Sequence, residues 1–232
     1  MTSGRLKTTL LLPTLNEVEA VQVVIPQIKR DWIDEILVVD GGSKDGTVEY
    51  LRGQGLTVLS QPHGRGYGHA MAFGLQRAAG GIVIEFTPDG NSVPEDIPRI
   101  IAKVNEGYDL VIGSRYLAGA RSDDDDRLTA LGNWLFTTIV NVLFGAHYTD
   151  VLVGFRAFRR DAALRLGLDA PGLSWPCQSS IRFARARLRV TEIPANEPKR
   201  IGGERKMRPF KTGWEIVKLI LRDFTGFWPR KA

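Results

Sequence analysis

The sequence predicts an α/β fold in which helices cover a mostly parallel β-sheet. Short apolar segments rich in Ile, Leu and Val alternate with helical patterns through the first half of the chain. Strands that are buried on both faces of a parallel sheet have this composition. The length of 232 residues, of which 43% are hydrophobic and 25% charged, suits one such domain with a smaller C-terminal extension.

Strands and helices are predicted to alternate through the first half. The strands cover residues 6–12, 35–40, 56–60, 81–86 and 109–113. The first helix begins after Asn16, and the next ones cover residues 45–52, 66–79 and 94–106. Asn16 and Glu19 resemble a capping box at the start of the first helix, and Pro94 marks the start of the last.

The second half is predicted to be less regular. Residues 121–127 carry four adjacent aspartates, whose mutual repulsion favours a solvated, mobile loop over a metal site. The apolar helix 128–144 is too short and too often interrupted by polar residues for a membrane span. We therefore expect it to pack on the core or to lie in a membrane interface. A helix at 178–187, a strand at 188–193 and a final helix at 213–224 complete the prediction.

Positive charge is concentrated at the C-terminus. Residues 199–232 contain ten Lys or Arg and three Asp or Glu, a net charge of +7, whereas the whole chain carries +5. We therefore divide the chain into an α/β domain, 1–198, and a basic extension, 199–232, with an amphipathic helix. One face of that helix carries Trp214, Val217, Leu221 and Phe224. This charge suggests anionic partners: phosphates, acidic lipids or nucleic acid.

Cysteine content and the N-terminal segment indicate the compartment. The single Cys177 excludes an internal disulfide and a cysteine-based zinc site. The apolar run near the N-terminus is too short for a signal peptide. We therefore expect a cytoplasmic protein.

Acidic, glycine-rich or basic loops follow four successive predicted strands. They contain, in order, Pro13, Leu15 and Glu17; Asp40 and Gly42; Arg65 and Gly66; and Pro88 and Asp89. Because the carboxyl ends of parallel strands meet at one edge of a sheet, these loops are expected to surround one ligand. Glycines let the backbone approach that ligand, and an arginine in a glycine-rich loop suits a phosphate. The pattern predicts a nucleotide-sized ligand.

Asp89 is the candidate for metal binding. It lies directly after a buried strand, between Pro88 and Gly90, and Asn91 and Ser92 follow it. A carboxylate followed by amide and hydroxyl groups can coordinate a hard divalent cation through oxygen atoms. The same residues are also typical of a simple turn with a helix-capping aspartate. The neighbouring loops favour the ligand site.

Several sequence motifs occur in a characteristic order. They are Pro-Thr-Leu-Asn-Glu at 13–17, Val-Val-Asp-Gly-Gly-Ser-Lys-Asp-Gly-Thr at 38–47, the glycine-rich loop 63–69, Thr-Pro-Asp at 87–89, Val-Ile-Gly-Ser-Arg-Tyr at 111–116 and Asp-Val-Leu-Val-Gly-Phe-Arg-Ala-Phe at 150–158. This series resembles the family 2 glycosyltransferases. The basic segment 200–206 resembles a loop of their polyprenyl-phosphate branch, the dolichol-phosphate mannose synthase type. The resemblance implies the GT-A fold, a Rossmann-like sheet flanked by helices.

The resemblance also implies a reaction and its partners. A hexose would move with inversion from a nucleotide-diphosphate sugar, of the GDP-mannose or UDP-glucose type, to an acceptor that we expect to be a polyprenyl phosphate. Glu17 and Asp40 would hold the base and ribose, and Asp89 would coordinate Mg²⁺ or Mn²⁺. Asp89, Arg115 and Asp150 form the implied catalytic set. The implied substrate contacts are Arg115, Arg156, Gln178, Arg200, Arg205 and Lys206. We expect no nucleic-acid partner.

Three positions depart from the family pattern. The usual pair of aspartates in the second motif is Asp40-Gly41 here, and the Asp-x-Asp metal motif is Thr87-Pro88-Asp89. Gln178 stands where many relatives have an acidic residue. Because hard cations favour charged oxygen ligands, these departures predict weak or absent metal use, or an unusual substrate.

The identity of the acceptor decides whether a base is needed. A phosphate acceptor is already anionic at neutral pH, whereas a hydroxyl acceptor requires a general base, for which Asp150 is the first candidate. Two other hypotheses stay open. A sugar-phosphate nucleotidyltransferase is disfavoured by the acidic loop after the first strand. A non-catalytic binding module at a membrane surface is supported by Thr87.

The C-terminal extension predicts peripheral binding to a membrane. Arg200, Arg205 and Lys206 lie in the same segment as Trp214 and Trp228. Aromatic side chains favour the membrane interface, and Lys and Arg favour anionic headgroups. We expect the protein to act on the cytoplasmic membrane face.

Overall fold

The structure is a computed structural model that describes residues 6–62, 66–202 and 206–226. A seven-stranded sheet has the strand order β3-β2-β1-β4-β6-β5-β7. The strands are β1 (Thr8–Thr14), β2 (Glu35–Asp40), β3 (Thr57–Ser60), β4 (Ile82–Glu85), β5 (Leu110–Ser114), β6 (Arg156–Arg159) and β7 (Val190–Pro194). β6 is antiparallel to its neighbours β4 and β5, and the other pairs are parallel. The predicted α/β class with a mostly parallel sheet is confirmed.

Helices connect and cover the strands. They are α1 (Val18–Val24), α2 (Thr47–Gly53), α3 (Tyr67–Arg77), α4 (Ile97–Asn105), α5 (Arg127–Phe144), α6 (Arg160–Leu166), α7 (Trp175–Arg185) and α8 (Pro209–Thr225). The apolar residues of β1, β2, β4 and β5 are buried in one core together with residues of the covering helices. Burial on both faces explains why these strands are continuous apolar runs rather than alternating ones.

The start of α1 differs from the predicted capping box. The backbone of Asn16 is left-handed, with φ 53°, and its side chain accepts a hydrogen bond from the backbone N–H of Lys44 at 2.8 Å. The N–H of Val18 instead donates to Asp45 at 3.0 Å. The prediction was wrong because a neighbouring loop supplies the cap. These bonds tie the loops after β1 and β2 together.

The C-terminal helix α8 packs on α5 and α7. Its buried residues are Ile216, Leu219, Ile220 and Asp223. The face with Trp214, Leu221 and Phe224, which the sequence marks as apolar, is exposed. No described helix is long and apolar enough to cross a membrane.

Candidate active site

A cavity of about 610 Å³ opens at the sheet edge where β1, β4 and β5 end. Its polar part is lined by Glu17, Tyr67, Thr87, Asp89, Asn91, Ser92, Arg115, Asp124, Asp125, Asn196, Glu197, Arg200 and Lys206. Its apolar part lies between α5 and α8 and is lined by Leu128, Leu135, Phe136, Phe210, Trp214, Ile216 and Val217. Pro13 and Pro88 also line it. Two of the four loops predicted to share one ligand, those after β1 and β4, therefore contribute to one cavity.

Asp40 organises its own loop at the end of β2. Its carboxylate accepts hydrogen bonds from the backbone N–H of Gly42 at 2.8 Å and from the Ser43 hydroxyl at 2.5 Å. Gly42 has a φ of 97°, a conformation that favours glycine. The side chain of Asp40 is buried and does not line the cavity. Its predicted contact with the nucleotide stays a prediction.

Glu17 forms ion pairs with two cations of the basic segment 200–206. Arg200 lies 3.3 Å from its carboxylate, and Lys206 pairs with the same group. The Lys206 ammonium also donates to the backbone carbonyl of Leu15 at 2.6 Å. The structure thus brings together, at the polar part of the cavity, Leu15, Glu17, Arg200 and Lys206.

Asp89 is bound to the same arginine. Its carboxylate lies 2.7 Å from an Nη atom of Arg200 and accepts the N–H of Asn91 at 3.1 Å. Its backbone carbonyl accepts the N–H of Ile201 at 2.8 Å, which fastens the basic segment over the loop.

The oxygen atoms around Asp89 fit a divalent cation. The side-chain oxygen of Asn91 is buried and has no hydrogen-bond partner. The hydroxyls of Thr87 and Ser92 lie beside each other, 3.4 Å apart. No group of three or more His, Cys, Asp or Glu suited to a metal occurs among the described residues. This set therefore suits a cation that takes its other ligands from phosphate and water, as Mg²⁺ commonly does.

Arg115 is surrounded by three carboxylates. Its guanidinium lies 2.7 Å from Asp150, 3.2 Å from Asp125 and 3.2 Å from Glu197. Burial alone would lower the pKa of Arg115, but the charge of Asp150 and its neighbours raises that pKa well above the usual value. The group therefore stays positive and lines the cavity.

Asp150 is fully buried behind Arg115. Its two oxygens accept bonds from the guanidinium, and one also accepts the N–H groups of Leu152 and Val153 at 3.2 Å. It does not line the cavity. Because Asp150 lies outside the cavity lining and Arg115 engages both of its oxygens, its placement disfavours the role of general base.

Two predicted substrate contacts need correction. Arg156 is fully buried and donates to the carbonyls of Val153 and Pro176 and to the Ser179 hydroxyl. Gln178 is also fully buried, and its side-chain oxygen accepts a hydrogen bond from the backbone N–H of Ala170 at 2.7 Å. Neither side chain lines the cavity. Arg156 points from β6 into the packing against α7, whereas Gln178 ties α7 to the segment that precedes it.

Two other predicted contacts lie outside the described residues. These are Arg65 and Arg205. Gly66, next to the first of them, has a φ of 155° and precedes α3. A Cβ there would lie 2.4 Å from the carbonyl oxygen of Pro171, so the close approach of these two segments requires glycine.

The aspartate loop was predicted to be solvated and mobile, and the structure contradicts the solvation of one of its aspartates while Asp123 is exposed. The side chain of Asp125 is 6% exposed and pairs with Arg115. Asp126 caps α5 by accepting the N–H of Thr129 at 2.7 Å. Repulsion among the aspartates is offset because Asp125 pairs with Arg115 and Asp126 accepts a backbone N–H. The sequence signal was present: an Asp three residues before Thr129 at the start of an apolar helix.

Comparison with known proteins agrees with this geometry. The model of the family described as glycosyl transferase family 2 matches residues 9–167. The undecaprenyl-phosphate mannosyltransferase of Micrococcus luteus is 29% identical over 232 residues, covering 94% of this chain and 94% of that protein. The dolichyl-phosphate hexose transferase of Haloferax volcanii is 32% identical over 215 residues, covering 91% of each chain.

A solved structure has the same fold. It is glucosyl-3-phosphoglycerate synthase from Mycobacterium tuberculosis in complex with Mn²⁺, uridine diphosphate and phosphoglyceric acid. Its TM-score is 0.74 at 24% identity, covering 98% of this chain and 81% of that one. The predicted GT-A fold and family are confirmed, and the open choice among a transferase, a nucleotidyltransferase and a non-catalytic module is decided. The chain belongs to the family 2 glycosyltransferases and is an enzyme of that class.

Proposed function

We propose that this enzyme moves a hexose from a nucleotide-diphosphate sugar to a polyprenyl phosphate at a membrane surface. One observation carries the proposal: a single cavity joins a charged end to an apolar end. The charged end contains Asp89, Arg200 and Lys206, and the apolar end is formed by α5 and α8. A phosphate attached to a long hydrocarbon chain matches both ends. The names of the two relatives above support an acceptor of this class.

The cations at the charged end suit the donor diphosphate. Arg200 and Lys206 are held there by Glu17 and Asp89, so they are positioned before any phosphate binds. As the bond to the sugar breaks, negative charge grows on the leaving diphosphate, and fixed cations stabilise it. Asp89 and Asn91 would hold a divalent cation, which adds further positive charge at that diphosphate.

The arrangement around Arg115 favours a phosphate acceptor over a hydroxyl acceptor. Asp150, the candidate base, is buried and already paired with Arg115. A phosphate oxygen is anionic at neutral pH and attacks without a base. Arg115 lines the cavity, whereas Asp150 does not, so the acceptor meets the guanidinium rather than the candidate base.

Turnover of a donor panel tests the proposal. The purified protein would be incubated with UDP- and GDP-sugars, Mn²⁺ and a short-chain polyprenyl phosphate. We expect one donor to give a glycosyl phospholipid and free nucleoside diphosphate. Transfer only to a soluble hydroxyl compound would favour the alternative acceptor. Absence of transfer with every donor would contradict the proposal.

The rim of the apolar end is suited to a membrane. Phe210 is 87% exposed and Trp214 is 62% exposed, and both also line the cavity. Two exposed cations, Lys211 and Lys218, lie on the same helix. Exposed aromatic residues beside cations are typical of surfaces that insert into an anionic membrane interface.

Replacing Phe210 and Trp214 together with Ser is expected to weaken binding to anionic liposomes at least about tenfold. The reason is that each buried aromatic side chain contributes about 1.5–3 kcal/mol, and 1.4 kcal/mol is tenfold. Sedimentation with liposomes measures this. Val23→Ser is the matched control, because Val23 is 45% exposed on α1 and does not line the cavity. If the wild-type protein, the double variant and Val23→Ser sediment equally with liposomes, α8 does not contribute to membrane binding.

A further inference from the structure

A carboxylate lies in the middle of the sheet, where the proposed reaction does not use it. Glu85 ends the central strand β4 and is fully buried. Its oxygens accept hydrogen bonds from the Tyr67 hydroxyl at 2.5 Å and from the indole N–H of Trp175 at 3.2 Å. Burial raises the pKa of Glu85 to about 7, although the charge of Arg156 and these two bonds act in the opposite direction.

Glu85 has a structural role and a second contact at the cavity. It lies opposite the fully buried Arg156 in the β4–β6 pair, so its charge offsets that of the guanidinium. The neighbouring positions of β4, Ile82, Val83 and Ile84, are apolar. Its second contact is Tyr67, which lines the cavity.

Tyr67 lies at the floor of the cavity beside Gly154 and Thr87. A Cβ on Gly154 would lie 2.9 Å from the Tyr67 hydroxyl and 3.7 Å from the Thr87 methyl group. Glycine at position 154 therefore leaves the phenol open to the cavity. Thr87 belongs to the loop of Asp89, so Tyr67 borders the predicted diphosphate position on the inner side. The donor hexose is attached to that diphosphate.

The hydrogen-bonding state of Tyr67 is defined by its surroundings. Burial, and next to it the charge of Glu85, raises the pKa of Tyr67 well above its usual value, so the phenol keeps its proton. That proton is donated to Glu85. The phenol oxygen then offers lone pairs alone to the cavity, and it suits a ligand hydroxyl that donates.

We propose that the Tyr67 oxygen accepts a hydrogen bond from a hydroxyl of the donor hexose, and that Glu85 is the positioning residue for Tyr67. This inference rests on the proposed function, because it requires a nucleotide-sugar donor. It assigns Tyr67 to recognition of the sugar rather than of the nucleotide or the acceptor.

Tyr67→Phe tests the contact directly. The donor identified by turnover and its free nucleoside diphosphate would be titrated calorimetrically in the presence of Mn²⁺. We expect Tyr67→Phe to weaken binding of the nucleotide sugar about five- to tenfold and to leave binding of the nucleoside diphosphate unchanged. Tyr148→Phe is the control: it removes a buried phenol that donates to the Ser180 carbonyl at 3.0 Å and does not line the cavity.

The outcomes separate the two proposals. If wild-type protein binds no nucleotide sugar, the proposed function fails, and this inference fails with it. If wild-type protein binds the donor and Tyr67→Phe binds it equally well, this inference alone is overturned. Equal weakening of the sugar and the nucleoside diphosphate would also overturn it, because the contact would then not be to the sugar.

Glu85→Gln tests the positioning role at a single pH. The amide keeps the shape of the carboxylate but can donate a hydrogen bond to Tyr67, so the phenol is no longer restricted to accepting from the ligand. At pH 8 we therefore expect Glu85→Gln to prefer nucleotide sugar over nucleoside diphosphate less strongly than the wild-type protein does. The charged groups facing this pair are Arg156 and Asp89.

Combination with Tyr67→Phe isolates the contribution of Glu85. If Glu85 acts through Tyr67, the double variant should lose no more of the preference for nucleotide sugar than Tyr67→Phe loses alone. An unchanged preference in Glu85→Gln would overturn the positioning role. If Glu85→Gln does not fold, the Tyr67→Phe titration still decides the contact.

Discussion

Replacing Asp89 with Asn is expected to lower kcat/KM at least about 100-fold, which corresponds to about 2.7 kcal/mol of transition-state stabilisation. Asp89 is the carboxylate of the predicted cation site and also holds Arg200 at 2.7 Å. Its loss therefore removes a charged cation ligand and releases a cation that faces the leaving diphosphate. The stimulation of donor binding by Mn²⁺ should disappear with it. Titration of the donor with and without Mn²⁺, together with turnover, measures both effects.

Asp96→Asn is the matched control for this variant. Asp96 lies seven positions further along, is also buried, and pairs with the half-exposed Arg99 outside the cavity. It should keep the response to Mn²⁺. If Asp89→Asn responds to Mn²⁺ as the wild-type protein does, then Asp89 is a turn residue, and the cation site must be abandoned.

Replacing Arg115 with Met is expected to lower the free energy of unfolding by about 3–5 kcal/mol, because it leaves buried carboxylates without their cation. Asp150, Asp125 and Glu197 all lie within 3.2 Å of this guanidinium. In a domain of this size, such a loss corresponds to about 10 °C in the melting temperature. Turnover should also be lost, since Arg115 lines the cavity in which the acceptor is proposed to bind.

The loss of stability in Arg115→Met depends on pH in a defined direction. Burial raises the pKa of Glu197 and the charge of Arg115 acts against this rise, so without Arg115 the folded-state pKa of Glu197 lies further above its unfolded value. The folded variant then binds more protons than the unfolded chain, so its stability falls as the pH rises. The deficit relative to wild type should therefore be smaller at pH 5 than at pH 8. Melting curves at the two pH values measure this difference.

Arg121→Met provides the comparison for a surface charge. Arg121 is 76% exposed and pairs with Asp123, which is 43% exposed. Exposed pairs contribute about 0–1 kcal/mol, so this variant should melt close to wild type. Equal melting temperatures of Arg115→Met and wild type at pH 8 would contradict the buried network.

Local sequence patterns were sufficient for the sheet and for one side of the site. The apolar runs predicted β2 at its observed bounds and most other strands within two residues. Glu17 and Asp89 could be placed together from the chain alone, because parallel strands direct their carboxyl ends to one edge. Arg200 and Lys206 lie nearly two hundred residues from Glu17 in the chain. They were assigned to the same site from the family resemblance and not from a local pattern.

Other residues were assigned wrongly because burial is a property of the whole fold. Arg156 and Asp125 are both charged, and the sequence placed the first at the substrate and the second in solvent. The structure buries Arg156 against a carbonyl and a hydroxyl of α7, and it buries the Asp125 side chain against Arg115. Glu85 was correctly predicted to lie in a strand, but its bond to Tyr67 could not be predicted from the chain.

The sequence by itself determined the fold class, the family and the order of the loops at the sheet edge. These depend on local periodicity and on motifs that are contiguous in the chain. Only the tertiary structure decided which charged side chains face the cavity, which are paired beneath it, and that an apolar cleft between α5 and α8 continues the charged end. The physical reason is that the partner of a buried charge is chosen by proximity in space, and proximity between distant segments exists only after the chain has folded.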